Sequence, residues 1–136
     1  MSYLLDTVVA SEMRKRQANP NVLRWLRAKP AGSLFFSTIT IGEIERGISR
    51  ERTVNPPFAA ALASWLEELI DAYGDRILPI DIAVARRWGR LTQRLGHAGV
   101  DLLIAATALE HGLTVATRNI RHFLPTEAAV EDPFAD

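Results

Sequence analysis

Cysteine is absent from the 136-residue chain, so disulfides and thiolate metal sites are excluded and a cytoplasmic setting is expected. Lysine is nearly absent too. Lys15 and Lys29 are the only two, so almost all positive charge is arginine, the better fork for phosphate or carboxylate. No apolar run approaches the ~20 residues of a membrane span, which excludes an α-helical membrane protein. The first residues run straight into an apolar segment without a basic leader, so export is not expected. An excess of charge is missing as well: sixteen basic and sixteen acidic residues sum to zero. That sum argues against a general nucleic-acid binder, yet an arginine face beside an acidic pocket would give the same total.

What remains is an ordinary globular composition, 48% hydrophobic and 24% charged, in a length that fits one domain over residues 1–136. Apolar runs at Tyr3–Ala10, Leu34–Thr38, Ile77–Ile80 and Leu113–Ala116 read as strands, with an edge strand around Ala129–Val130. Helical signals lie between them. Met13 to Gln17 reads as helical, and Asn19-Pro20 opens a helix that Pro30-Ala31-Gly32 ends. Thr40 reads as the N-cap of a helix to about Ser49, with a loop at Thr53–Pro57. Phe58–Tyr73 is a helix stopped by Gly74, Asp81 caps one to Leu95, and Val100–His111 is a helix stopped by Gly112. A short turn of helix is expected at Asn119–Phe123. Strands alternating with helices predict a three-layer α/β/α domain around a mainly parallel sheet of four to five strands.

Three acids fall where this pattern expects apolar or strand-end residues. Asp6 interrupts the first run, Glu43 lies early in the helix after the second strand, and Asp101 is the sole charge in Val100–Ala108. In a parallel sheet such residues gather near the carboxyl ends of the strands, where ligands bind. Converging buried carboxylates repel one another, and a hard divalent cation such as Mg²⁺ or Mn²⁺ relieves both burial and repulsion. Each acid also has a plainer reading. Asp6 could cap a turn, Glu43 could complete a capping box with Thr40, and Asp101 could favour the positive end of its helix.

Taken together the segments resemble the PIN-domain ribonucleases, in particular the VapC-type toxins of toxin–antitoxin pairs. Tyr3-Leu4-Leu5-Asp6-Thr7 is similar to the family's opening strand, and Thr38–Gly47 to its second motif with the acid at Glu43. Asp101–Ala108 is similar to the third motif, and Thr117–Phe123 to the fourth. The resemblance implies a PIN-like fold and a Mg²⁺-dependent endoribonuclease (Mn²⁺ also suitable) acting through metal-activated water. Asp6, Glu43 and Asp101 would serve as catalytic and metal-holding residues, with Asn119, Thr117 and His122 as auxiliaries and Thr7 as a supporting hydroxyl. It also implies a VapB-like antitoxin, an RNA substrate, a homodimer and a toxin–antitoxin hetero-oligomer. Arg46 and Arg118 are expected on RNA phosphates, whereas Arg50, Arg86, Arg87, Arg90 and Arg94 read as a solvated helix face. Trp25, Trp65 and Trp88 read as core or interface, and His97 as a loop residue.

Two residues depart from the family pattern. Val8 stands where the toxins usually carry Asn, and His122 where many relatives have Asp. An imidazole is a poorer Mg²⁺ ligand than a carboxylate, so His122 is expected on phosphate or in solvent. The departures leave a second reading, a PIN-like RNA- or protein-binding module with impaired catalysis. Phosphatase and receiver chemistries fit worse: the former want an acid at position 8, the latter an acidic pair near the first strand and a lysine after the last.

Overall fold

The computed structural model describes all residues from Met1 to Asp136. Five parallel strands form one sheet: β1 (Tyr3–Leu5), β2 (Leu34–Ser37), β3 (Ile77–Leu78), β4 (Thr114–Ala116) and β5 (Val130–Glu131). They stand in the order β3-β2-β1-β4-β5, and every neighbouring pair runs parallel. Period-two alternation divides the side chains between the faces. Tyr3, Leu5, Leu34, Phe36 and Ala116 enter one buried cluster, Leu4 and Val115 the other.

Helices α1 (Thr7–Glu12), α2 (Pro20–Arg27), α3 (Thr38–Val54) and α4 (Pro56–Tyr73) cover the first face. On the opposite face lie α5 (Ile82–Leu95), α6 (Val100–His111) and the short α7 (Ile120–Phe123). The expected three-layer α/β/α arrangement is present, and the sheet is wholly parallel. No helix is long and apolar enough to cross a membrane. Chain order reverses around β1, with β2 on one side and β4 on the other. That reversal opens the crevice in which doubly wound sheets bind their ligands.

Several local expectations are corrected, among them the helix end at Ser49 and the loop at Thr53–Pro57. The first strand stops at Leu5, and Val8 to Ala10 are helical. Asp6 is extended (φ −66°, ψ 156°) and its Oδ1 accepts the Thr7 N–H at 2.8 Å, which starts a helix despite three β-branched residues, Thr7, Val8 and Val9. Burial of Val9 then outweighs its strand preference, and buried Ala10 favours the helix outright. The segment Met13 to Gln17 is turn rather than helix. Finally, Ser37 caps α3, accepting the Ile39 N–H at 3.1 Å, so Thr40 lies inside the helix and the capping box with Glu43 does not form. That helix runs to Val54, and Asn55 alone breaks it from α4. Pro56 disfavours helical backbone at Asn55, while the Asn55 side chain accepts the Phe58 N–H at 3.3 Å.

After α1 the chain is held by Glu12, buried at 6% exposure. Its carboxylate takes a hydrogen bond from Lys15 and the Asn19 N–H at 2.9 Å, tying down the turn before α2. The Lys15 bond first, then that of Asn19, holds its pKa below the ordinary carboxylate value. A lowered folded-state pKa stabilises above the carboxylate range, and the gain is lost as pH falls through the lowered value. Glu12→Gln is expected to cost ~1–3 kcal/mol at neutral pH. Denaturant titration checks this, with the gap between the proteins closing in acid; an equal gap at both pH values would show that charge plays no part.

Candidate active site

The end of β1 delivers Asp6 to the carboxyl edge of the sheet at the reversal point. Its backbone N–H still pairs with Ala116 of β4 at 2.9 Å, which fixes where the side chain leaves the sheet. Asp6 is 5% exposed, and its Oδ2 accepts the Thr117 hydroxyl at 2.7 Å. Burial pushes the Asp6 pKa up; the Thr117 and Thr7 hydrogen bonds pull it back, and the charges of Asp101 and Glu43 raise it further. Asp6 therefore feels both other acids.

Glu43 reaches the same edge from the first turns of α3. Its Oε1 accepts the Thr7 hydroxyl at 2.5 Å, and the buried Thr40 hydroxyl stands 3.3 Å from that of Thr7. Thr7 thus joins the Asp6 segment to Glu43. Asp101 enters from the first turn of α6, where the N-cap is Gly99 and no side chain caps the helix. Its Oδ2 lies 2.9 Å from Nδ1 of His122, which α7 carries. His122 is largely exposed, yet it is neither free in solvent nor placed as a substitute ligand: it grips Asp101. Asn119 caps α7 without a side-chain bond, and its backbone N–H donates to the Thr117 hydroxyl at 2.9 Å. His97 stays in its loop, 3.3 Å from the Gly99 N–H.

No three acid or imidazole groups stand close enough to hold a metal ion between them. Each acid is engaged by the protein instead, Asp6 by Thr117 and Thr7, Glu43 by Thr7, Asp101 by His122. In kind the donor set fits a hard divalent cation, since it is built of carboxylate and hydroxyl oxygens and the pKa of its most buried member is raised by burial first and by two like charges after it. The expected cationic contacts divide. Arg46 is exposed beside the site, 4.0 Å from Glu43. Arg118 turns away, its guanidinium 4.0 Å over the Phe134 ring. Arg50, read as a solvated face, borders a pocket together with Arg46 and Glu43.

A family model described as the PIN domain matches residues 3–124. The chain belongs to the PIN domain family. Among its relatives is Toxin FitB of Neisseria gonorrhoeae, 34% identical over 139 residues that cover 98% of this chain and 99% of the relative. VapC ribonuclease Y4jK of Sinorhizobium fredii is 33% identical over 130 residues, covering 88% and 89%. The crystal structure of FitAcB from Neisseria gonorrhoeae superposes with a TM-score of 0.86 at 33% identity, covering 98% of this chain and 99% of that one. The PIN fold explains why Asp6, Glu43 and Asp101 come from three separate segments: β1, α3 and α6 all end or begin at one edge of one sheet.

Sequence reading missed three features of this edge. The His122 grip on Asp101 joins residues far apart in the chain and has no local signal. Thr40 looked like a cap and is instead a buried hydroxyl beside Thr7. The flanking pocket was partly legible, because Glu43, Arg46, Gly47 and Arg50 recur at helical spacing on α3.

Proposed function

We propose that this PIN domain protein is a metal-dependent endoribonuclease and the toxin of a toxin–antitoxin pair. The observation that carries the reading is Asp6, a carboxylate buried at the sheet's reversal point, whose pKa is raised by that burial first and by the charges of Asp101 and Glu43 after it. Kinship to proteins named as toxin and as ribonuclease supports the biological role.

Asp6, Glu43 and Asp101 would hold Mg²⁺ or Mn²⁺. When bound, such a cation supplies charge neutralisation at the phosphoryl oxygens and a water acidic enough to attack phosphorus. Thr117 and the Thr7 N–H fix the direction in which Asp6 presents its oxygens, and the Thr7 hydroxyl does the same for Glu43. His122 orients Asp101 from outside and takes the place of a fourth acid without adding negative charge. Asn119 stands next to Thr117 on the same loop, where its amide oxygen could reach the site. Arg46, exposed beside Glu43, meets the phosphate of the RNA; Arg118 would have to leave Phe134 to do so. The antitoxin would be a VapB-like protein covering the acidic edge, with the toxin as a homodimer in the assembled complex.

Cleavage of a labelled RNA with Mg²⁺, and again with excess chelator, tests the proposal. Mg²⁺-dependent cutting is expected. Unchanged cutting in chelator would remove the metal from the reading. RNA binding without any turnover would favour the impaired binding module, for which the protein-held acids and the Val8 and His122 departures speak.

A further inference from the structure

On the Glu43 side of the site lies a pocket of about 360 Å³, in the range of ~300–1,000 Å³ usual for small-ligand sites. Three helical segments wall it. Ser11 and Arg14 come from α1 and the turn after it, Gly47 and Arg50 from α3, Phe58 and Trp65 from α4. Thr7 and Glu43 line it as well, so it opens directly onto the proposed centre.

Gly47 is the informative residue. It lies within the 17-residue α3, where glycine is the least favourable residue after proline. Its backbone is not left-handed, and a Cβ built on it would meet no atom within 4 Å. Neither backbone geometry nor packing calls for glycine there; its effect is to leave the pocket floor open. Around that floor stand one indole, half-buried, and the Arg14 guanidinium stacked 5.3 Å over the Phe58 ring. Aromatic and guanidinium planes are the surfaces on which unstacked bases of single-stranded RNA settle. Arg14, Arg46 and Arg50 outnumber the two glutamates of the lining, one of which, Glu43, belongs to the proposed metal centre.

We propose that this pocket receives the nucleotide adjoining the scissile phosphate of single-stranded RNA. Its base stacks on Trp65, Gly47 leaves room for it, and Arg50 with Arg14 meets the neighbouring phosphate. The inference rests on the ribonuclease reading and adds a specificity subsite to it. Ser11 and Glu51 offer a hydroxyl and a carboxylate to the edge of the base.

The test measures binding, so it does not depend on turnover. Fluorescein-labelled octamers of adenylate, cytidylate and uridylate are titrated into the Asp101→Asn chain, alone and combined with Gly47→Ala, Gly47→Leu or Arg50→Gln. Gly47→Ala adds a methyl in open space and should keep affinity within about twofold. Gly47→Leu fills the floor and should weaken at least one octamer by about tenfold or more, the scale of one lost base stack. Arg50→Gln should lower the slope of log affinity against log salt by about one. Thermal melting of each variant separates these effects from misfolding. Equal octamer affinities for Gly47→Leu and Gly47→Ala overturn the subsite. So does loss of antitoxin binding by Gly47→Leu with RNA affinity intact, which would assign the pocket to the protein partner. Failure of the unsubstituted chain to cut RNA overturns the nuclease reading instead, and the octamer affinities still decide the pocket.

Discussion

Asp6→Asn is expected to lower RNA cleavage by at least about a thousandfold, ~4 kcal/mol of transition-state stabilisation, while the protein melts no lower than before. The activity loss follows if Asp6 is the buried anchor of a cation site, because an amide binds a hard cation far less well than a carboxylate. Stability goes the other way. A carboxyl whose pKa is raised by folding stabilises the fold only below the ordinary carboxylate range, and that gain is lost as pH rises through the raised value. At neutral pH the ionised, buried group is thus a cost, and neutral Asn of the same shape removes it. Its amide oxygen can keep the Thr7 N–H, and the Thr117 hydroxyl can turn to accept from the amide nitrogen. Melting curves at neutral and acid pH check the sign, the advantage of the variant shrinking in acid. Added Mg²⁺ should raise the melting temperature of the unsubstituted protein and not that of the variant. A variant that cuts RNA at the full rate, or melts well below the parent at neutral pH, would show that Asp6 does something else.

The sheet was legible because parallel strands buried on both faces read as short apolar runs, and Leu34–Ser37 and Thr114–Ala116 lie inside the segments so read. Helix ends carried chemistry of their own: Asp81 caps α5 through the Val84 N–H at 2.9 Å, and Gly112 takes the left-handed backbone that closes α6. Val8 to Ala10 misled because an apolar run of that length reads equally as strand or buried helix, and only the Asp6 cap decides. The acids showed themselves by breaking a hydrophobic pattern. What could not be read was direction. Arg118 and Arg50 have the same local signal; the C-terminal Phe134 draws one away, and the wall of α4 gathers the other into the pocket. The His122–Asp101 contact likewise exists only once α6 and α7 are packed.

Phe36→Ala is expected to cost ~3–5 kcal/mol of stability out of the ~5–15 kcal/mol that holds a domain folded. Phe36 is wholly buried in β2 and meets Tyr73 of α4 edge-on, ring centres 4.7 Å apart. Removing the ring therefore opens a cavity between the sheet and the α3–α4 layer, whose side chains cannot collapse without shifting a helix. The melting temperature should fall by more than about 10 °C. Ile82 is the contrast: as apolar, but 78% exposed, it should tolerate Ser within about 0.5 kcal/mol. Because Ser37 directly follows Phe36 and starts the helix that bears Glu43, the truncated protein also distinguishes support from chemistry. Well below its melting point it should still cut RNA within about tenfold of the parent, since every acid and every hydroxyl that orients them is intact. A thousandfold loss in that folded state would mean that packing under β2 sets the position of Glu43 as strictly as the acids themselves set the reaction.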